Sequence, residues 1–297
     1  MSMRCCLFVL LLASLRVALP AQEMIVSGNW LAERLADPQV VVLHVGTAKD
    51  YEEGHIPGAR LLTIEDITVT GPTGLRTELP RVDALVSAFG KVGVSDTNRI
   101  VIYSGTPEIQ SATRAWFTLD YLGLGNRASM LDGNLALWKK EGRPLSKEPV
   151  PPASNTFTAR PNPSRVVSAE WLQMHRNDPA VLRMDARTPE YYSGADKGTM
   201  VRAGHLPGAI NTPYTSYFDA DGRWKSREEL QRLLRVGTSA AEPVRVSYCH
   251  VGRQATVPYV AGRLLGLDMR VFDGSFQEWS SRKEFPVETS APPADAK

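Results

Sequence analysis

The sequence predicts an α/β protein of two tandem domains, each a parallel sheet flanked by helices on both faces. Three observations predict it. The 297-residue chain repeats itself, most plainly as Gly54-His-Ile-Pro-Gly-Ala59 and Gly204-His-Leu-Pro-Gly-Ala209. Within each half, short continuous apolar runs alternate with helical stretches, the pattern of βα units whose strands are covered on both sides. A proline-dense stretch from Pro144 to Asn155, with Pro161 and Pro163 just beyond, separates the halves as a stiff, extended connector.

The N-terminus carries Arg4, a short apolar core and a small residue at Ala21, which fits a secretory signal peptide cleaved after Ala21. Arg16 interrupts the apolar core, and Leu19 is larger than usual three residues before the cut. The apolar run is short for a membrane anchor. The expected organisation is a signal peptide at 1–21, a first domain at 22–145, a linker at 146–165, a second domain at 166–288 and a disordered tail at 289–297. The mature chain is then secreted or periplasmic and off the membrane. Formal charge is +2, and losing Arg4 and Arg16 brings it to about zero, so nothing in the charge points to nucleic acid or an acidic membrane surface. Oligomeric state has no signature in the sequence. Cleavage also removes Cys5 and Cys6 and leaves Cys249 as the only thiol, which excludes an intramolecular disulfide.

The elements repeat in order. Ser27-Gly-Asn-Trp30-Leu31 matches Ser168-Ala-Glu-Trp171-Leu172, each a serine-capped helix turning Trp and Leu toward a core. A buried strand follows each, at 40–45 and 180–185, and a second at 99–103 and 244–248. Helices ending at Leu122-Gly123-Leu124 and Leu265-Gly266-Leu267 come next. The halves close with Leu131-Asp-Gly-Asn-Leu-Ala-Leu-Trp138 and Phe272-Asp-Gly-Ser-Phe-Gln-Glu-Trp279, a strand end turning into a helix. The six Trp fall mostly at equivalent helix positions and read as core packing. His55 and His205 occur in both halves, which argues for a hydrogen-bonding role at the turn before Pro-Gly.

The halves differ where chemistry would sit. Cys249 follows a strand-ending Tyr and precedes a helix, where backbone N–H groups and the helix dipole favour an anion. Ser104 stands in its place in the first half. The loop after Ser104 reads as about two residues longer before its helix resumes, and its Glu108 would repel an anionic substrate. Aligning Tyr51 with Tyr191 sets Val45 and Thr47 opposite Asp185 and Arg187, so the first half lacks thiol, carboxylate and cation together. One site per chain follows, in the second half. The same alignment gives the second half a ten-residue insert before His205, carrying Asp196, Lys197 and Arg202 and read as a solvated surface loop. No His/Cys/Asp spacing suggests a metal site.

At these residues the chain resembles the rhodanese family, specifically its tandem two-domain sulfurtransferases. Tyr51 through Ala59 is similar to the family's first signature, and Phe272 through Trp279 to its closing one. The resemblance covers residues 25 to 287. It implies that Cys249 carries a sulfur atom as a persulfide, and that backbone N–H groups of Cys249-His-Val-Gly-Arg-Gln254 cradle it. Gly252 would let the backbone curl round that sulfur. Asp185-Ala-Arg187 is similar to the family's Asp-x-Arg, whose arginine binds the donor's anionic end; a guanidinium suits an oxyanion or a carboxylate by paired hydrogen bonds. His250, Val251, Gly252, Arg253 and Gln254 complete the expected donor-binding set, with Asp185 in support. The loop departs from the Cys-Arg-Lys-Gly of many thiosulfate enzymes and the Cys-Gly-Ser-Gly of mercaptopyruvate enzymes; Arg253 keeps it cationic, which favours thiosulfate, with 3-mercaptopyruvate as the alternative.

The implied reaction is ping-pong transfer from a small anionic sulfur donor to cyanide or a thiol, with no metal or organic cofactor. A Cys-x5-Arg phosphatase would need Arg at the sixth position after the cysteine, and that position is Ala255. A non-catalytic sulfur-binding or docking module is the remaining alternative.

Overall fold

A computed structural model describes residues 23–239 and 241–290. The expected signal segment and residues 291–297 of the expected tail lie outside the described residues. The first domain contains β1 (Ile25–Val26), α1 (Gly28–Ala32), β2 (Val40–Val45), α2 (Ala48–Glu53), β3 (Arg60–Leu62), α3 (Val82–Lys91), β4 (Arg99–Ser104), α4 (Ile109–Tyr121), β5 (Ala128–Leu131) and α5 (Asn134–Lys140). The second contains β6 (Val166–Val167), α6 (Ala169–Met174), β7 (Val181–Asp185), α7 (Pro189–Ser193), β8 (Ile210–Asn211), α8 (Arg227–Leu233), β9 (Val244–Tyr248), α9 (Thr256–Leu264), β10 (Met269–Phe272) and α10 (Ser275–Ser281). The sheets are wholly parallel, in the orders β1-β5-β4-β2-β3 and β6-β10-β9-β7-β8.

Local chemistry explains the elements. In β4, Ile100, Val101, Ile102 and Tyr103 are all buried, as a central parallel strand covered on both faces requires. The Ser27 and Ser168 hydroxyls each accept the N–H three residues on, 3.1 Å away at Trp30 and Trp171. Trp138 and Trp279 are buried and donate from Nε1 to the carbonyls of Pro144 and Pro286, closing the two domains alike.

The domains face one another through α4 and α9, related by an approximate two-fold. The hydroxyls of Thr113 and Thr256, equivalent residues of the repeat, meet at 2.7 Å. Phe117 lies edge-on to Tyr259, whose hydroxyl donates to Asp120 Oδ2 at 2.5 Å. One apolar core therefore runs through both domains. The connector is laid along the first domain: the Ala153 N–H donates to the Lys91 carbonyl, Phe157 is buried, and the Arg160 N–H donates to the Leu122 carbonyl.

Three details of the repeat differ from the sequence alignment. Tyr192, not Tyr191, is the counterpart of Tyr51: each stacks on the following histidine and donates its hydroxyl at 2.7 Å to Ala209 or Ala59. Strand register agrees, because His44 pairs with Tyr103 as Asp185 pairs with Tyr248. His44 and Gly46 thus stand opposite Asp185 and Arg187, and Thr47 opposite Thr188, both helix N-caps. The insert before His205 shrinks by one residue to nine, since Tyr192 and His205 are thirteen positions apart against four for Tyr51 and His55. Nor is it wholly solvated, for Arg202 donates to the carbonyls of Trp279, Ser280, Arg282 and Phe285 and clamps the C-terminal turn.

Candidate active site

Cys249 stands directly after β9 and is buried, 1% exposed. Its backbone N–H donates to Ser275 Oγ at 3.1 Å, and that hydroxyl donates to the Phe272 carbonyl. Its carbonyl and that of His250 accept from the Phe276 and Gln277 N–H groups. The strand end is thereby tied to the first turn of α10. Among the described residues, the N–H groups of residues 250–255 find no protein acceptor. Six successive free amides beside a thiol are the kind of backbone an anion cradle requires. Gly252 has φ +81°, and a Cβ there would lie 2.5 Å from the Asp273 carbonyl oxygen and 2.8 Å from its carboxylate. The glycine is needed because Asp273 crowds the back of the loop.

The two expected cations are elsewhere engaged. Arg187 is buried against Asp185, donating from Nε at 2.9 Å and from Nη2 at 2.5 Å, and Nη2 also reaches the Gly204 carbonyl at 2.7 Å. Its guanidinium lies over the Phe276 ring, 4.1 Å from the centroid. Burial opposes its charge, but the Asp185 carboxylate outweighs this and holds its pKa above the ordinary arginine value. A buried bidentate pair of this kind braces the strand end behind the thiol; it does not present a free cation to a donor. Arg253 pairs with Glu108 of the first domain. Glu108 therefore neutralises a cation of the opposite domain, where the sequence suggested simple repulsion of substrate.

The rest of the expected set makes up the loop itself. His250 is half-buried, its Nδ1 3.3 Å from Gln254 Oε1 and its ring edge-on to Tyr191. Burial, then the nearby Arg187 charge, depresses its pKa, so it is neutral at pH 7. The Val251 carbonyl accepts from the Thr77 hydroxyl of the first domain.

That contact belongs to a group the sequence did not reveal. Residues 74–79 of the first domain lie against the cysteine loop. The Arg76 N–H donates to Gln277 Oε1, Gln277 Nε2 donates to the Gly74 carbonyl, and the Leu79 N–H donates to Asp273 Oδ2. Arg114 of α4, fully buried, donates to the Gly252 carbonyl, to the Thr77 carbonyl and, at 2.5 Å, to Asp273 Oδ1. Asp273 and Ser275 had a signal, since they lie in the repeated closing segment where Asp132 and Asn134 are their partners. Arg114 and the segment 74–79 had none, because their partners lie in the other domain.

In the first domain the equivalent place is closed. Ser104 Oγ donates to the carbonyls of Thr106 and Glu108. The loop before the helix is shorter than in the second domain, not longer: α4 starts at Ile109 and α9 at Thr256, so the two extra residues, and two more, are wound into α4. There the N–H groups of Gly105, Glu108, Ile109 and Ser111 are spent on the Val45 carbonyl, Thr106 Oγ1, the Pro107 carbonyl and the Glu108 carbonyl, and are not free to cradle an anion. His44 fills the site of the Asp185–Arg187 pair, its Nδ1 3.0 Å from the Tyr103 hydroxyl.

Comparison with known proteins agrees with this geometry. The family described as Rhodanese-like domain matches residues 27–141 and again 168–282. The chain is 30% identical to the 3-mercaptopyruvate sulfurtransferase of Escherichia coli over 278 residues, 89% of this chain and 97% of that one. It is also 30% identical to the thiosulfate sulfurtransferase of Gallus gallus, over 79% of this chain and 81% of that one. A solved structure of the anaerobic ergothioneine biosynthesis enzyme from Chlorobium limicola superposes with a TM-score of 0.81 at 20% identity, over 91% of this chain and 71% of that one, a likeness of fold. Two matched domains, a shared sheet topology and a free-amide loop behind a buried cysteine lead to one conclusion: the chain belongs to the rhodanese family.

Proposed function

We propose that the protein is a sulfurtransferase that takes a sulfane sulfur from thiosulfate onto Cys249 and passes it to cyanide or a thiol. The observation that carries this reading is the row of free amides at residues 250–255 beside the buried cysteine. The Cys249 thiolate attacks the outer sulfur of thiosulfate; the S–S bond of the donor breaks, sulfite leaves with the electron pair, and Cys249 becomes a persulfide anion. The loop N–H groups hold that charge. Cyanide then attacks the outer sulfur, thiocyanate leaves, and the thiolate returns. The nucleophile and the amides of this reading both belong to the second domain.

Thiosulfate is favoured because sulfite needs no proton to depart. Pyruvate, leaving from 3-mercaptopyruvate, needs one at carbon, and the loop Cys249-His-Val-Gly-Arg-Gln254 carries no hydroxyl or carboxyl side chain, while His250 is neutral at pH 7. The second reading, 3-mercaptopyruvate as donor, draws on the printed name of the Escherichia coli relative. Export of the chain, expected from residues 1–21, belongs to the same proposal and is checked by N-terminal sequencing of protein from the periplasm or medium.

Intact mass after incubation with thiosulfate tests the reading. A gain of one sulfur, lost on adding cyanide and absent in Cys249→Ser, is the expected result. No gain overturns it for this donor, and kcat/KM for the two donors ranks them.

A further inference from the structure

Of the arginines around the cysteine loop, three are spent on carboxylates: Arg187 on Asp185, Arg253 on Glu108 and Arg114 on Asp273. An anionic donor still needs a cation, and Arg76 of the first domain is placed to supply it. It is exposed, and among the described residues no carboxylate pairs with its guanidinium. Its backbone is held by Gln277, and the next residue, Thr77, is hydrogen-bonded to the Val251 carbonyl inside the loop. Arg114 fixes Thr77 from behind through its carbonyl, 2.8 Å away.

Resting on the sulfur-transfer reading above, we infer that Arg76 binds the oxyanion of the sulfur donor, so that the domain without a nucleophile supplies the cation for the domain that has one. The Arg76 charge reaches the site, since it is among those that act on His250, the residue after Cys249. A guanidinium whose backbone is held and whose tip is free can grip a sulfonate or carboxylate by paired hydrogen bonds. It also makes donor binding depend on the two domains being docked.

Two probes of one thiol test this in the full chain. Iodoacetate is anionic and iodoacetamide neutral, and both alkylate a thiolate, followed at Cys249 by peptide mass. In Arg76→Gln, iodoacetate labelling is expected to slow by about tenfold, the scale of one lost hydrogen bond to a charged group, with iodoacetamide labelling unchanged. KM for thiosulfate rises by a similar factor with kcat held, and Arg76→Lys restores part of both. Equal slowing of both reagents would mean that Arg76 only shapes the loop, and no effect on iodoacetate would mean that it touches no anion; either overturns the inference. Failure of the wild-type chain to take up sulfur instead overturns the underlying reading, and the alkylation ratio separates the two cases.

Discussion

Arg114, buried in the first domain, donates to the Gly252 carbonyl 3.1 Å away in the cysteine loop of the second domain. The same guanidinium holds Asp273, which crowds Gly252 from behind, so a residue of the domain without a cysteine shapes the loop of the domain that has one.

Removing that cation strands a buried carboxylate. Arg114→Met is expected to cost about 3–5 kcal/mol of stability, read as a lowered urea midpoint, and to slow sulfur uptake at Cys249. Asp273→Asn in the same chain recovers part of the stability, because the uncompensated charge is gone. A midpoint unchanged in Arg114→Met would show that the pair carries no such weight.

Moving the thiol does not move the site. The double variant Cys249→Ser, Ser104→Cys is expected to form no persulfide, since the side chain at position 104 points into carbonyls of its own loop and the N–H groups of Gly105, Glu108, Ile109 and Ser111 already have acceptors. Intact mass after thiosulfate reads the result. A gain of one sulfur on the peptide that spans position 104 would contradict it.

Glu108 restrains Arg253 across the domain boundary. In Glu108→Gln the arginine is released toward the cysteine loop, and KM for thiosulfate is expected to fall by about two- to fivefold, the range of a partly exposed ion pair. The gain shrinks at high salt as charges are screened. A rise in KM would show instead that the pair is needed to position the loop.

His44 couples stability to pH. Burial, aided by the charge of His55, lowers its pKa from 6.5 to about 4. The unfolded chain therefore takes up a proton at a pH where the folded chain refuses it. Stability is full above pH 6.5 and is lost as pH falls toward 4, by about 3 kcal/mol in all. His44→Gln is expected to flatten that part of the urea midpoint against pH curve; an unchanged slope would assign it to other groups.

Much of this was legible in the sequence. Duplicated segments such as Gly54–Ala59 and Gly204–Ala209 set the two-domain architecture, and continuous apolar strands made the sheets parallel. The adjacent Tyr191 and Tyr192 misled the alignment by one residue, because only ring stacking on His205 and the hydroxyl bond to Ala209 distinguish them. Helix α4 misled it again: whether residues 109–112 are loop or first turn depends on packing against the other domain, which local pattern does not contain.

By itself, the sequence determined the fold class, the repeat and the cysteine set between strand and helix, because these follow from hydrophobic period, turn residues and a difference between two copies of one unit. Only the tertiary structure decided which charges are free. Arg187, Arg253 and Arg114 look alike in a string of letters, and each is silenced by a carboxylate, two of them across the domain boundary. The physical reason is that an ion pair depends on distances of a few ångströms between side chains far apart in the chain, and folding alone brings those together.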